Sequence, residues 1–360
     1  PEQMAAQGVA VHLHHEALAI NPATHTVTIR DAEGNEFTRS YSRLVIATGA
    51  SPIRPATPGS HLEGIFALRP LESGLAVRQF VEERNPQKAM VIGGGYVGVE
   101  MAETLRGLGL QVKMLIRSGK VLRTTLDDDM RTLVEDELAQ QGVTIIQGTP
   151  SACEGRDRIE AIVASTGRYP ADMVLLGMGV RPNVEISSHA GVALGVTGAI
   201  ATDKRMRTNL PEVYAAGDCT EAHHLVTGRP AHIPLGTTAN KQGRVAGDQA
   251  AGGTETFRGV VGTTVVRCFG LTVAATGLTA ASAREEGFQV WETMIRAKDI
   301  SHYFPGAADI HVKLVVEQAT GRLLGGQIIG RRGVAKRIDV LATALYNRMS
   351  VQELQGLDLS

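Results

Sequence analysis

Gly93-Gly94-Gly95-Tyr96-Val97-Gly98 is a GxGxxG run, and its flanks decide how it is read. Lys88-Ala89-Met90-Val91-Ile92 before it is a short apolar strand, and Val99-Glu100-Met101-Ala102-Glu103-Thr104-Leu105 after it has helical character. Strand, glycine turn, helix is the order that makes the motif a dinucleotide-binding fingerprint. Gly93 permits the tight turn, Gly95 lets the backbone approach a pyrophosphate, and Gly98 lets the helix pack close on the strand. The helix N-terminus, at Tyr96 and Val97, offers free N–H groups and a positive dipole end to phosphates.

The motif sits nearly a hundred residues into a chain of 360, which has room for two or three domains. Residues 8–30 largely alternate apolar and polar and read as strands around the turn Asn21-Pro22-Ala23-Thr24, with a hairpin turn at Asp31–Asn35. Leu44–Ala50 reads as a buried strand closed by a glycine turn, and Pro52, Pro55, Pro58 and Gly59 mark a connector. Residues 71–84 look helical. Residues 88–183 form a βαβ-rich unit, with strands near 88–93, 111–116, 143–147 and 172–179 and helices near 97–108 and 127–141. A strand at Val213–Ala216 closes at Gly217-Asp218, and a helix is expected from Thr237 to Ala251. The last hundred residues change to an α+β pattern, with strands near 263–267, 288–296, 310–317 and 322–329 and a helix at 333–348.

A net charge of −1 leaves no electrostatic footprint for nucleic acid or an anionic membrane. No apolar run approaches membrane-spanning length. Cys153, Cys219 and Cys268 form no CxxC pair and no disulfide framework, so a reducing cytoplasm is the simplest inference. Cys219, His223, His224 and His232 are metal-capable, but their spacing fits no common zinc pattern. Cys268 reads as a small buried hydrophobe in an apolar strand.

Two further turns end strands at the edge where α/β sheets bind ligands. One is Gly217-Asp218. The other is Ala47-Thr48-Gly49-Ala50. In an NAD-type fingerprint an acid follows the glycines by about 20 residues and binds the ribose 2′-OH. Here that strand end reads Met114-Leu115-Ile116-Arg117-Ser118-Gly119-Lys120-Val121-Leu122-Arg123, with no carboxylate. Arg117, Lys120 and Arg123 point to a 2′-phosphate, hence NADPH over NADH. The alternative is a solvated basic loop.

The chain resembles the pyridine nucleotide–disulfide oxidoreductases, across essentially all its residues. The Ala47-Thr48-Gly49 turn and the stretch Thr208–Asp218 match that family's second and third FAD signatures, and Gly177-Met178-Gly179-Val180-Arg181-Pro182-Asn183 matches its crossover out of the NAD(P)H domain. Ile233–Arg244, Tyr303–Ala307 and Ala335–Leu341 look like the branch containing coenzyme A-disulfide reductases, NADH oxidases and persulfide reductases. The resemblance implies an α/β chain with two Rossmann-like nucleotide-binding domains and a C-terminal α+β dimerisation domain. The FAD domain would comprise 1–69 and 184–258, the NAD(P)H domain 70–183, and the dimerisation domain 259–360.

Residue roles follow from the same resemblance. Asp218 would bind the ribityl chain of FAD. The helix opening at Leu235-Gly236-Thr237 would aim its positive end at the flavin. Tyr96 would cover the flavin face, or simply pack. Glu100 would touch the nicotinamide amide, or be a solvated first-turn carboxylate. Lys336 and Arg337 would reach coenzyme A phosphates at a homodimer interface, or be solvated. NADPH would reduce the flavin, and electrons would pass to a disulfide, persulfide or oxygen acceptor. The family's early GxGxxG and this branch's redox cysteine match nothing in residues 1–46. The expectation is therefore a shortened sequence of a longer product, incomplete for catalysis, and the rival reading is a non-catalytic nucleotide-binding module.

Overall fold

The structure, a computed structural model, describes residues 2–69 and 71–359. Pro1, Pro70 and Ser360, which bound three of the expected domain ranges, lie outside the described residues. The chain forms two compact units. The first contains the residues up to Ala50, Arg181–His223 and Arg229–Gly259. The second contains Ser51–Val180, His224–Gly228 and the residues from Val260 onward.

In the first unit, strands Glu16–Asn21, Thr26–Arg30 and Glu36–Ser40 make an antiparallel sheet. Both of its turns are closed by side chains, as short polar residues favour. Asn21 Oδ1 accepts from the N–H of Ala23 at 3.1 Å, and Asp31 Oδ1 accepts from Asn35 at 2.8 Å. The strand expected over residues 8–15 does not form. His14 takes a left-handed φ of 56°, and the alternating apolar residues there are exposed, with no face to bury. Leu44–Ile46 pairs in parallel with Val213–Ala215. Helix Gly236–Ala250 turns Thr238, Gln242, Val245, Ala246 and Gln249 inward, a helical repeat of one buried face.

In the second unit, five parallel strands run in the order Ile65–Ala67, Met173–Leu176, Lys88–Ile92, Gln111–Ile116, Thr144–Gln147. Met173–Leu176 is buried at every residue and Lys88–Ile92 at every residue after Lys88. Such continuous burial is what a parallel sheet covered on both faces requires. Helix Tyr96–Gly107 buries Gly98, Val99, Ala102 and Leu105, and helix Asp128–Gln140 buries Met130, Val134 and Leu138. A small antiparallel sheet of Pro150–Glu154, Ala161–Ala164 and Gly167–Pro170 follows, which sequence reasoning missed.

The C-terminal sheet runs Thr264–Cys268, Leu271–Gly277, Leu323–Gly330, Asp309–Glu317, Val290–Lys298, all antiparallel. Leu271–Gly277 was not foreseen. Its hairpin turns on Phe269-Gly270, with Phe269 at φ 50°, and a phenylalanine gives no turn signal. The helices Ala280–Glu285 and Val351–Gln355 were also missed. Helix Val334–Tyr346 packs Ile338, Leu341 and Leu345 into the core of this sheet. The two sheets share a core. Val99, Met114 and Leu138 of the fingerprint region cluster with Val266, Cys268, Val273 and Ile329.

Candidate cofactor-binding site

The fingerprint glycines separate into two kinds. Gly93 ends its strand at φ 114°, and a Cβ there would lie 2.1 Å from the carbonyl oxygen of Gly177. Gly177 in turn donates its N–H to Ile92 O at 2.8 Å. A Cβ on Gly98 would lie 2.4 Å from Gly93 O. The fold itself therefore requires these two. Gly95 is different: its backbone is extended, and a Cβ would meet nothing within 4 Å. That open space stands at the start of helix Tyr96–Gly107, whose N-terminus has no side-chain cap. The uncapped amides around Tyr96 and Val97 and the room beside Gly95 fit a dinucleotide pyrophosphate. Gly179, at φ 93°, holds the crossover by accepting from Ile53 N at 2.9 Å.

The three basic residues after strand Gln111–Ile116 are not equivalent. Arg117 and Arg123 are exposed. Lys120 is committed to Asp128, with Nζ 2.9 Å from Oδ1. Arg131 bonds the same carboxylate. The hydrogen bonds from Lys120 and then Arg131 hold Asp128 at about 2. Lys120, Arg123 and Asp128 line one cleft of about 780 Å³.

Tyr96 packs. Its hydroxyl accepts from Thr125 Oγ1 at 2.9 Å and lies 3.0 Å from Thr264 Oγ1. Glu100 is not a first-turn carboxylate, because the first turn of the helix contains no acid. Partial burial, and then the charge of Glu103, push its carboxyl up, opposite to what a helix N-terminus would do.

The first unit arranges the other expected turns. Thr48 Oγ1 donates to Asn183 O at 2.6 Å, Asn183 Nδ2 donates to Thr48 O at 2.9 Å, and Asn183 N donates to Gly49 O at 3.0 Å. Asn183 thus staples the Thr48-Gly49 turn, and Ala50 beyond it is buried. Gly217, at φ 85°, donates its N–H to Gln242 Oε1 at 2.9 Å, and His232 Nε2 donates to Asp218 O at 2.8 Å. Gln242 is 1% exposed, and its Nε2 has no hydrogen-bond partner. Helix Gly236–Ala250 starts after Leu235 without a side-chain cap, leaving Gly236 and Thr237 exposed. Held turns, an uncapped helix start and a buried unused amide donor fit a polar cofactor such as FAD. The sequence places Asn183 in the crossover, His232 among the metal-capable residues and Gln242 in a branch-like stretch, but not in these roles, because each acts on backbone distant in sequence and no local pattern announces that.

Elsewhere the structure assigns other work. Arg337 donates to Gly333 O at 3.0 Å and to Asp299 O at 2.7 Å, so it is tied to backbone and is not a solvated cation. Lys336 is exposed. All three cysteines are free and buried. Burial, then Glu137 and Glu103, push the Cys268 thiol up to about 12. Cys219 Sγ bonds Ala216 O at 3.3 Å.

A dinucleotide fingerprint in one unit and a second set of polar turns in the other define a class: redox proteins that pair FAD with a pyridine nucleotide. The chain belongs to the pyridine nucleotide-disulphide oxidoreductase family; residues 2–243 match the family, and residues 263–357 match its dimerisation domain. It is 37% identical over 354 residues to an NAD(P)H sulfur oxidoreductase (CoA-dependent) of Pyrococcus abyssi, covering 98% of this chain and 78% of that protein. Among solved structures it resembles an NAD-dependent persulfide reductase from A. fulgidus, with a TM-score of 0.93, 37% identity and 96% of this chain covered. The chain spans 64% of the length of that reductase. It also resembles an engineered water-forming NADPH oxidase bound to NADPH, derived from a Lactobacillus brevis NADH oxidase, with a TM-score of 0.96, 28% identity, and coverage of 100% of this chain and 80% of the other. No helix among the described residues is long and apolar enough to cross a membrane.

Proposed function

We propose that the protein is an FAD-dependent NAD(P)H oxidoreductase that takes NADPH in preference to NADH and passes electrons to a disulfide or persulfide, coenzyme A disulfide included. The observation that carries this reading is the division of labour among the glycines. Gly93 and Gly98 are consumed by packing, and Gly95 leaves open the space a pyrophosphate needs. In this reading 70–183 binds NADPH, with Gly95, Tyr96 and Val97 at the pyrophosphate, Gly98 holding the helix close behind them, and Arg117, Lys120 and Arg123 near the 2′-phosphate. Segments 1–69 and 184–258 hold FAD through Thr48, Gly49, Asp218 and the start of helix Gly236–Ala250. Residues 259–360 form a homodimer. FAD, when bound, supplies the hydride acceptance and onward electron transfer. The chain's own residues bind, orient and tune.

The NADPH preference is supported by the missing acid and the present Arg117 at the strand end. It is also supported by the chemistry of the engineered relative, whose substitutions for NADPH use remove an aspartate and add two arginines. Three free cysteines fit a reducing compartment such as the cytoplasm. A second reading, reduction of oxygen or peroxide, is favoured by the likeness to the water-forming oxidase.

The test has two parts. NADPH and NADH affinities are measured by nucleotide fluorescence on the 360-residue chain and on Arg117→Glu. The substitution should shift preference toward NADH, and unchanged selectivity would refute the assignment of the loop. A visible spectrum of the purified chain then reads flavin directly. Bound yellow flavin bleached by NADPH excludes the non-catalytic module, and reoxidation by coenzyme A disulfide against oxygen separates the two acceptors.

A further inference from the structure

We propose that Asp128 sets how strongly the protein discriminates NADPH from NADH, by competing with the 2′-phosphate for Lys120. The inference rests on the assignment of the Arg117–Arg123 loop to that phosphate.

Lys120 Nζ lies 2.9 and 3.0 Å from the two carboxylate oxygens of Asp128. Asp128 opens helix Asp128–Gln140, its side chain is 72% exposed, and it faces the same cleft as Lys120 and Arg123. Its position is fixed from behind by Arg131, a guanidinium only 5% exposed that is itself anchored to Leu126 O at 2.6 Å. The neighbouring carboxylates are committed elsewhere. Asp129 takes Lys313 Nζ at 2.8 Å, and Asp127 accepts from Gln327 Nε2 at 2.6 Å and Ala280 N at 3.1 Å. Of the three consecutive acids, Asp128 is the one bonded to Lys120.

A 2′-phosphate bound at this loop must exchange the Lys120–Asp128 pair for a Lys120–phosphate pair. NADH carries no such phosphate, so its binding leaves the pair intact. The Lys120 and Arg131 bonds hold Asp128 well below the usual carboxylate range, at about 2, so it is ionised at neutral pH. It therefore lowers NADPH affinity selectively and leaves NADH affinity alone. Because the pair is solvent-exposed, its effect is bounded at about five-fold in affinity.

The test is a fluorescence titration of NADPH and of NADH, at low and high salt, with thermal melts as a folding control. Asp128→Asn should tighten NADPH about five-fold, leave NADH unchanged, and lose the gain at high salt. In the Lys120→Gln background the same substitution should have no effect. An unchanged NADPH-to-NADH ratio in Asp128→Asn overturns the proposal, as does a gain that survives loss of Lys120. Should the Asn variant melt early, Asp128→Ser removes the same charge and gives the same comparison. If neither Lys120→Gln nor Arg117→Glu weakens NADPH, the loop assignment fails and the proposal fails with it. If they do and Asp128→Asn changes nothing, only the competition is refuted.

Discussion

Adding one methyl group at Gly98 or at Gly95 should produce opposite phenotypes, although the two glycines are three residues apart in one motif. At Gly98 a Cβ falls 2.4 Å from Gly93 O and 3.1 Å from Gly93 C, against an ordinary contact of 3.4 Å or more. Both atoms are backbone, so the helix must slide outward by about 1 Å, taking the fully buried Val99, Ala102 and Leu105 with it. Overpacking of this kind costs about 1–3 kcal/mol. Replacing a helical glycine by alanine returns up to about 1 kcal/mol. Gly98→Ala should therefore lose about 1–2 kcal/mol net, lowering the melting temperature by about 2–8 °C. At Gly95 the Cβ meets nothing and the backbone is one that any residue adopts. Gly95→Ala should melt within a degree or two of the parent. Its methyl would instead occupy the space assigned to the pyrophosphate, and losing one charge-assisted hydrogen bond there weakens NADPH binding about ten- to hundred-fold. The assay is a urea or thermal melt paired with a nucleotide titration on both variants. Equal stability loss at the two sites would refute the packing argument. Parental NADPH affinity in Gly95→Ala would refute the placement of the ligand.

Further outcomes follow from buried charge and buried sulfur. Lys313 is 3% exposed, with Nζ 2.8 Å from Asp129, 2.7 Å from Glu292 and 3.6 Å from Asp127. Lys313→Met takes the cation from Asp129 and leaves Glu292 with Arg284 and Asp127 with Gln327; because Asp129 and Glu292 are partly exposed, it should cost about 1–3 kcal/mol in a urea melt at pH 7. Arg284 and then Lys313 hold the Glu292 carboxyl below its ordinary value, so its share of the penalty is present above that value and should be lost as pH falls through the lowered range; a pH-independent loss would show that packing, not charge, is what Lys313 supplies. Asp309 is held at about 2 by Arg296 first and Lys298 second. Its folded value is depressed, so its stabilising share is present above the ordinary value of 3.8 and is lost as pH falls through 2. Arg296→Gln should raise the Asp309 carboxyl ¹³C titration toward 3.8; a midpoint that stays near 2 would leave Lys298 as the holder. Because Cys153, Cys219 and Cys268 are all buried, an aromatic disulfide reagent at pH 8 should label none of them in minutes in the native chain and all three in urea. Rapid native labelling would contradict that burial.

The elements that could be read ahead of the structure are those in which local pattern and tertiary use agree. Leu71–Arg84, Lys88–Ile92, Tyr96–Gly107, Gln111–Ile116 and Asp128–Gln140 lie within a residue or two of where periodicity and glycine punctuation put them. The misses have local causes. Residues 8–15 alternate like a strand but find no partner, and alternation alone cannot supply one. Leu271–Gly277 was hidden by a turn at Phe269, and Pro150–Pro170 by strands of four or five residues, too short for a periodic signal.

By itself the sequence determined the ligand class, because the fingerprint is a contiguous stretch whose backbone, not its partners, makes the chemistry. The same holds for the absence of an acid after Ile116, a fact of composition at one strand end. The tertiary structure decided how each residue is used. It tied Lys120 to Asp128, Tyr96 to Thr125 and Thr264, and Arg337 to the backbone of Asp299. It recruited Asn183, Gln242 and His232 to hold turns that lie 14 to 135 residues away. The physical reason is range. Glycine φ angles and strand and helix periods are local properties. A side chain's hydrogen-bond partner is whichever group the folded chain brings within 3 Å, and nothing in the neighbouring residues encodes it.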